Sequence, residues 1–94
     1  MTEENAAINA RITGRVQGVS FRAWAQAEAR ALGLSGWVRN AEDGAVEAHV
    51  AGPPDAVAQM ARRLGEGPAA AAVAAVTTEP ATPEPGLSGF AVRG

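Results

Sequence analysis

The residues of this chain that could do chemistry are arginines, one asparagine and a few glycines, because the usual catalytic groups are scarce. Among the 94 residues there is no cysteine, one histidine and 8 basic side chains, and every basic side chain is an arginine. Disulfides, thiolate nucleophiles and cysteine-bound metals are therefore excluded, and so is Schiff-base chemistry, which needs lysine. An anionic ligand would have to be held by guanidinium groups and backbone N–H groups.

One segment has the pattern of such an anion site. Residues 14–22 read GRVQGVSFR and lead from an alternating strand pattern, through a glycine-bearing loop, into a helical pattern. Loop N–H groups and the free N–H groups of a helix N-terminus can converge on an anion, and Gly18 would allow close approach. Arg22 would lie in the first helical turn, where a cation opposes the helix dipole, so an anion is expected beside it. On its own, the pattern also fits an ordinary strand-to-helix turn.

A second segment adds a polar side chain near the first. Residues 36–40 read GWVRN and precede Asp43-Gly44, a hairpin turn signal. Asn40 would end a strand that lies close to the loop in a split βαβ arrangement. Its amide could orient a water molecule without adding charge.

The remaining chain supplies the elements that must position these residues. Apolar residues recur at helical spacing after Phe21 and again after Pro54, and alternate in strands predicted at 7–13, 37–40, 45–50, 73–79 and 89–93. The alanine-rich stretch 69–76 is ambiguous, because its propensity is helical while the element order asks for a strand. The sequence predicts an α+β fold of the ferredoxin-like βαββαβ type, an antiparallel sheet with two helices on one face. We expect a disordered tail over 1–6 and a single domain over 7–94.

The two segments resemble the two signature stretches of the acylphosphatase family. The resemblance rests on 14–22 and 36–40 and covers nearly the whole chain after residue 6. Shorter matches are found at 32–34, 43–44, 46–47, 52–53 and 89–92.

The resemblance implies an enzyme that hydrolyses acyl phosphates to a carboxylate and inorganic phosphate, without a metal or cofactor. It assigns the phosphoryl-binding arginine to Arg22 and the water-positioning asparagine to Asn40. The phosphate-binding loop implied by the resemblance consists of Arg15, Val16, Gln17, Gly18, Val19, Ser20 and Phe21. Ser20 stands where family members vary, and it would either cap the helix or add a hydroxyl to the loop.

Two other classes of function are alternatives to hydrolysis. A non-catalytic acylphosphatase-like module, binding carbamoyl phosphate or another phosphoanhydride, is the alternative. Single-strand RNA binding on the sheet fits poorly, because the chain has two Trp, two Phe, no Tyr and a net charge of -2. We expect a cytoplasmic monomer that acts on a small molecule and binds neither nucleic acid nor membrane.

Other polar and aromatic residues have more ordinary interpretations. His49 alternates outward on its strand and is predicted to be a surface residue. Glu42 and Asp43 sit beside a glycine and are expected to form the hairpin turn. Trp24 and Trp37 could form a binding platform, although packing against the core or the sheet is the expected role.

Overall fold

The computed structural model describes residues 5–94, which form five strands and two helices in the predicted order. The elements are β1 (Ala6–Arg15), α1 (Phe21–Ala31), β2 (Ser35–Asn40), β3 (Val46–Gly52), α2 (Pro54–Glu66), β4 (Ala72–Ala81) and β5 (Phe90–Arg93). Ala6, which the sequence analysis assigned to a tail over 1–6, is the first residue of β1. Residues 1–4 of that predicted tail lie outside the described residues.

The strands form one sheet in the order β4-β1-β3-β2-β5. Pairing is antiparallel between β4 and β1, β1 and β3, and β3 and β2, whereas β5 runs parallel to β2. The predicted ferredoxin-like α+β fold is confirmed, but the sheet is mixed rather than antiparallel throughout. The reason lies in the last connection: β4 ends at one edge, and the chain crosses the sheet before β5 joins the opposite edge.

Both helices lie on the same face of the sheet, α1 against β2 and β5, and α2 against β1 and β4. Each helix presents one apolar stripe to the sheet, as the spacing of its large residues predicted. Gly33 follows α1 with a φ of 71°, and the N–H of Leu34 bonds back to the carbonyl of Ala29 at 2.9 Å, so the helix ends as expected. The largest fully buried side chains are Phe21, Ile12, Met60, Leu64, His49, Val16, Val38, Val46 and Val50.

The alanine-rich segment forms a strand, β4, which is longer than the predicted 73–79. It pairs with almost the full length of β1, so backbone hydrogen bonds to β1 outweigh the helical propensity of alanine. Most of β4 is exposed, and only Val73 and Val76 pack against the core. Pro80 lies in this edge strand, where a residue without an N–H is tolerated and further strand pairing is discouraged.

The connection 82–89 crosses part of the face of the sheet away from the helices, where Glu84 contacts Trp37 and His49. His49 points to this face, as predicted, but it is only 2% exposed, so the prediction of a surface residue was wrong. Its Nδ1 lies 2.8 Å from Asn9 Oδ1, and the backbone N–H of Glu84 donates to its Nε2 at 3.2 Å. Alternation gives the face on which a side chain lies, but it does not reveal a distant loop that covers that side chain. No helix in the described part of the chain is long and apolar enough to cross a membrane.

Candidate active site

Three strands of the sheet have their C-terminal ends at the same end of the sheet, and the candidate site lies there. β1, β2 and β5 all point in one direction, because β1 and β2 are each antiparallel to β3 and β5 is parallel to β2. The loop 16–20 follows β1 and leads into α1, and Asn40 is the last residue of β2. The two sequence segments are therefore brought together by topology, as the sequence analysis expected.

An open cleft of about 370 Å³ lies between these strand ends and the N-terminus of α1. Its lining consists of Val16, Gly18, Ser20, Phe21, Arg22, Ala23, Asn40 and Val92. Arg22 and Asn40, the two residues singled out for chemistry, thus face one space.

The first turn of α1 has the features of an anion site. The first intrahelical hydrogen bond runs from the N–H of Trp24 to the carbonyl of Ser20 at 3.0 Å, so earlier N–H groups have no partner within the helix. Ser20 occupies the N-cap position but makes no capping hydrogen bond through its side chain. The helix contributes the positive end of its dipole at the same place. A ligand oxygen would find several unused donors there.

The backbone entering α1 is curled by two residues in the left-handed region. Gly18 has a φ of 74°, which glycine adopts without strain. Ser20 has a φ of 62° and is the only non-glycine residue with positive φ among the described residues. A strained residue of this kind is uncommon outside functional sites and costs on the order of 1 kcal/mol or more. Of the two roles expected for Ser20, the capping hydrogen bond is absent, and the residue lines the cleft instead.

Arg22 and Asn40 both have unused hydrogen-bonding capacity. Within residues 5–94, the Arg22 guanidinium makes no hydrogen bond or ion pair to the protein. The side-chain oxygen of Asn40 is buried and likewise has no partner in the described part of the chain. Buried polar atoms are nearly always paired, so an unpaired acceptor on a residue that lines the cleft marks Asn40 as a functional candidate.

Three residues of the predicted phosphate-binding loop do not line the cleft. Arg15 ends β1 and is exposed, and Val19 packs against the core. Gln17 is half-buried, and its amide donates to the backbone carbonyls of Ala41 and Ala45 at 2.8 and 2.9 Å. Its side chain therefore contacts the β2–β3 hairpin.

Sequence reasoning missed two residues that line the cleft, Ala23 and Val92. Ala23 follows Arg22 in the first helical turn and could have been included from that position alone. Val92 is 42% exposed and is the only large hydrophobic residue with that degree of exposure in the described chain. No local signal marks it, because its position depends on the parallel pairing of β5 with β2.

The other candidate residues have structural roles. Asp43 accepts a hydrogen bond from the N–H of Ala45 at 3.2 Å, which is the expected turn contact. Trp24 packs edge-to-face on Phe21 with ring centroids 5.3 Å apart. Trp37 stacks over His49, and its indole N–H donates to a carboxylate oxygen of Glu84 at 3.1 Å. Neither tryptophan is a free binding platform.

Comparison with known proteins gives a consistent family assignment. The family model described as Acylphosphatase matches residues 8–92. A curated acylphosphatase of Rhizobium etli is 48% identical over 100% of both chains. The solved structure of an acylphosphatase from Coxiella burnetii aligns with a TM-score of 0.91 at 38% identity, covering 99% of this chain and 100% of that one. A full-length HypF structure aligns with a TM-score of 0.85 at 21% identity, covering 100% of this chain and 12% of that one, a likeness of fold alone.

Proposed function

The chain belongs to the acylphosphatase family, and from that premise we propose that the cleft at the N-terminus of α1 is where it hydrolyses an acyl phosphate. The observation that carries this proposal is that Arg22 and Asn40, each with unused hydrogen-bonding capacity, line a single cleft. One group binds anions and the other hydrogen-bonds water. Attack of water on a bound phosphoryl group requires both.

The phosphoryl group is bound by Arg22 and by backbone N–H groups of the loop 15–21 and the first helical turn. A guanidinium can donate to two phosphoryl oxygens at once, and the donors at the helix end are already oriented. Charge on the equatorial oxygens is then stabilised without reorganisation of the protein during the reaction. Gly18 presents no side chain to the anion, so the loop can approach it closely.

Asn40 orients the attacking water. Its side-chain amide, on a residue that lines the cleft, hydrogen-bonds the water and directs a water lone pair at phosphorus, opposite the bond to the acyl oxygen. A new oxygen–phosphorus bond forms while the acyl oxygen–phosphorus bond breaks, and the carboxylate leaves with that electron pair. A phosphoryl oxygen takes up the proton of the water. A carboxylate is a good leaving group, so this scheme needs no general acid, and His49 lies under the opposite face of the sheet.

The acyl part of the substrate extends from the phosphoryl group along the open cleft toward Val92. This side chain and the neighbouring methyl group of Ala23 provide an apolar surface beside Arg22. An apolar acyl group covering Val92 would remove hydrocarbon surface from water, which favours binding in proportion to the area covered.

The proposal extends to the organisation of the protein. Residues 7–94 act as one catalytic domain, and the chain works as a monomer. A cytoplasmic location is proposed because acyl phosphates form by phosphoryl transfer from nucleotides. Nucleic acid is not a partner, since the ring of Trp37, on the sheet face without helices, is occupied by contacts with Arg39, Arg93 and Glu84.

The test compares variants of the proposed catalytic residues on benzoyl phosphate in buffer containing EDTA. Arg22→Ala and Asn40→Ala are each expected to lower kcat/KM by about 10²-fold or more. Arg30→Ala is the matched control, because Arg30 lies in the last turn of the same helix, away from the cleft. It should retain wild-type activity although it loses the same charge.

Each outcome of this test decides between the alternatives. Wild-type turnover that EDTA does not lower, together with loss in the two cleft variants alone, supports the proposal. Phosphate binding by calorimetry without turnover would favour the non-catalytic phosphoanhydride-binding module. Equal loss in Arg22→Ala and Arg30→Ala would contradict the role of Arg22. Thermal unfolding of each variant separates loss of chemistry from loss of fold.

A further inference from the structure

Gln17 lies in the predicted phosphate-binding loop, but its side chain forms hydrogen bonds outside the cleft. The amide nitrogen donates to the carbonyl oxygen of Ala41 at 2.8 Å and to that of Ala45 at 2.9 Å. Both distances are those of well-formed hydrogen bonds, and together they use both N–H groups of the amide. The side chain does not line the cleft. It is therefore not available to hold the phosphoryl group.

The two carbonyls that Gln17 contacts belong to the turn that follows Asn40. Ala41 is the next residue after Asn40, and its N–H bonds to the carbonyl of Ala45 at 2.8 Å, which closes the turn. Residues 42–44 between them are exposed. Gln17 thus holds both ends of the turn from one side.

Strand pairing fixes the base of this turn, since Asn40 pairs with Val46 of β3 and Val46 pairs with Ile12 of β1, but few contacts fix the turn beyond that base. Within residues 5–94, no other hydrogen bond joins the loop 16–20 to the turn 41–45. Arg11 forms an ion pair with Asp43, but both side chains are largely exposed, and such pairs add little rigidity. The oxygen of Asn40 has no protein partner that would hold its side chain in place.

We propose that Gln17 is a positioning residue, which sets the place of Asn40 relative to the bound phosphoryl group by holding the carbonyls of Ala41 and Ala45. This role rests on the proposed function, because it acts through the water that Asn40 orients. The backbone of residue 17 remains part of the loop around the anion. The side chain fixes the distance between the loop that contains Gln17 and the strand end that carries Asn40, which lies 23 positions later in the sequence.

The proposal predicts a loss of turnover without a loss of phosphate affinity. Gln17→Met keeps the length of the side chain but removes both N–H donors. A displacement of about 1 Å at a catalytic group can cost about 10²-fold in rate, so kcat on benzoyl phosphate should fall about 10-fold to 10²-fold. The inhibition constant of inorganic phosphate should stay within about twofold of wild type, since Arg22 and the helix N-terminus are untouched.

Gln26→Met is the matched control. The amide of Gln26 donates to the backbone carbonyl of Phe90 at 2.9 Å, so this substitution also removes a glutamine-to-carbonyl hydrogen bond. It joins α1 to β5 and does not involve Asn40. A comparable loss of thermal stability with little change in kcat is expected.

A double-mutant cycle tests whether Gln17 acts through Asn40. In the Asn40→Ala background, Gln17→Met should change kcat by less than about twofold, because the positioned group is already gone. The amide proton signals of the Asn40 side chain should also shift in the NMR spectrum of Gln17→Met and remain in place in Gln26→Met. This second measurement does not depend on residual activity.

Three results would overturn the positioning role. These are an equal effect of Gln17→Met in both backgrounds, a weaker binding of phosphate with kcat retained, or unchanged kcat and Asn40 signals in Gln17→Met. Full activity of Asn40→Ala would instead overturn the proposed function. The two failures are therefore distinguishable.

Discussion

At the scale of single residues, two polar side chains of the cleft differ from other polar side chains in lacking hydrogen-bond or ion-pair partners. Arg39 and Arg63 are paired with carboxylates, Arg39 with Glu47 at 2.9 Å and Arg63 with Glu28 at 3.3 Å. Arg22 has no such partner within residues 5–94, and the oxygen of Asn40 accepts no hydrogen bond there. Unused capacity of both kinds at one helix N-terminus is what binding of an anion and a water would require.

The glycine at position 18 provides a test at this scale. Gly18 and Gly86 have φ values of 74° and 81°, and a Cβ added at either would meet no atom within 4 Å. Alanine at either site should cost about 1 kcal/mol of stability through backbone strain, measured by urea unfolding. Only Gly18→Ala should also weaken inhibition by inorganic phosphate, because its Cβ enters the space beside the anion. Equal phosphate inhibition in the two variants would contradict the proposed place of the phosphoryl group.

The sequence was sufficient to predict Arg22 and Asn40 as neighbours, but not the role of Gln17 or the position of Val92. The first pair lies in two local patterns whose placement follows from element order. The partners of Gln17 are backbone carbonyls of another segment, and residue types carry no information about them. Val92 depends on the pairing partner of β5, which the alternation within β5 does not specify.

At the scale of elements, the site results from three strands ending together. β1 delivers the loop, β2 delivers Asn40 and β5 delivers Val92. Gly14, near the end of β1, has a φ of 116°, and a Cβ there would lie 2.3 Å from the carbonyl oxygen of Ala72. Glycine at position 14 therefore allows this close approach of β4 at the point where the register between β1 and β4 shifts, beside Thr13.

The contribution of β5 is tested by the choice of acyl group. Val92→Ala removes two methyl groups from the surface beside Arg22, and each buried CH₂-sized group is worth about 0.8 kcal/mol, or about fourfold in affinity. The KM for benzoyl phosphate should therefore rise about threefold to tenfold, while that for acetyl phosphate changes little. Inhibition by inorganic phosphate, which does not reach Val92, serves as the control. An equal rise of KM for both substrates would contradict an acyl contact.

At the scale of the whole molecule, the two faces of the sheet differ in what they contain. The helix-covered face contains the core, and the candidate cleft lies at the end of that face beside the N-terminus of α1. The opposite face has its own cleft of about 340 Å³, lined largely by polar and charged side chains, several of them paired with one another. The chain has a net charge of -2, yet the candidate cleft is locally cationic, because its lining includes Arg22 and no carboxylate.

Most of the fold was predictable because every element except the alanine-rich β4 has a clear periodicity, and the turns carry glycine or proline at the expected places. Two features could not be predicted for a common reason. The parallel pairing of β5 and the burial of His49 both follow from the path of the connection 82–89 across the sheet. Non-local packing of a proline-rich segment leaves no periodic signal in the sequence.

The central claim is that this chain directs water onto the phosphorus of an acyl phosphate bound beside Arg22. Hydrolysis of benzoyl phosphate in water enriched in ¹⁸O, with mass analysis of both products, tests it most directly. The account predicts hydrolysis well above the uncatalysed rate, with the heavy oxygen in inorganic phosphate and none in benzoate. Heavy oxygen in benzoate, which would mean attack at the acyl carbon, or a rate no higher than the uncatalysed one, would contradict it.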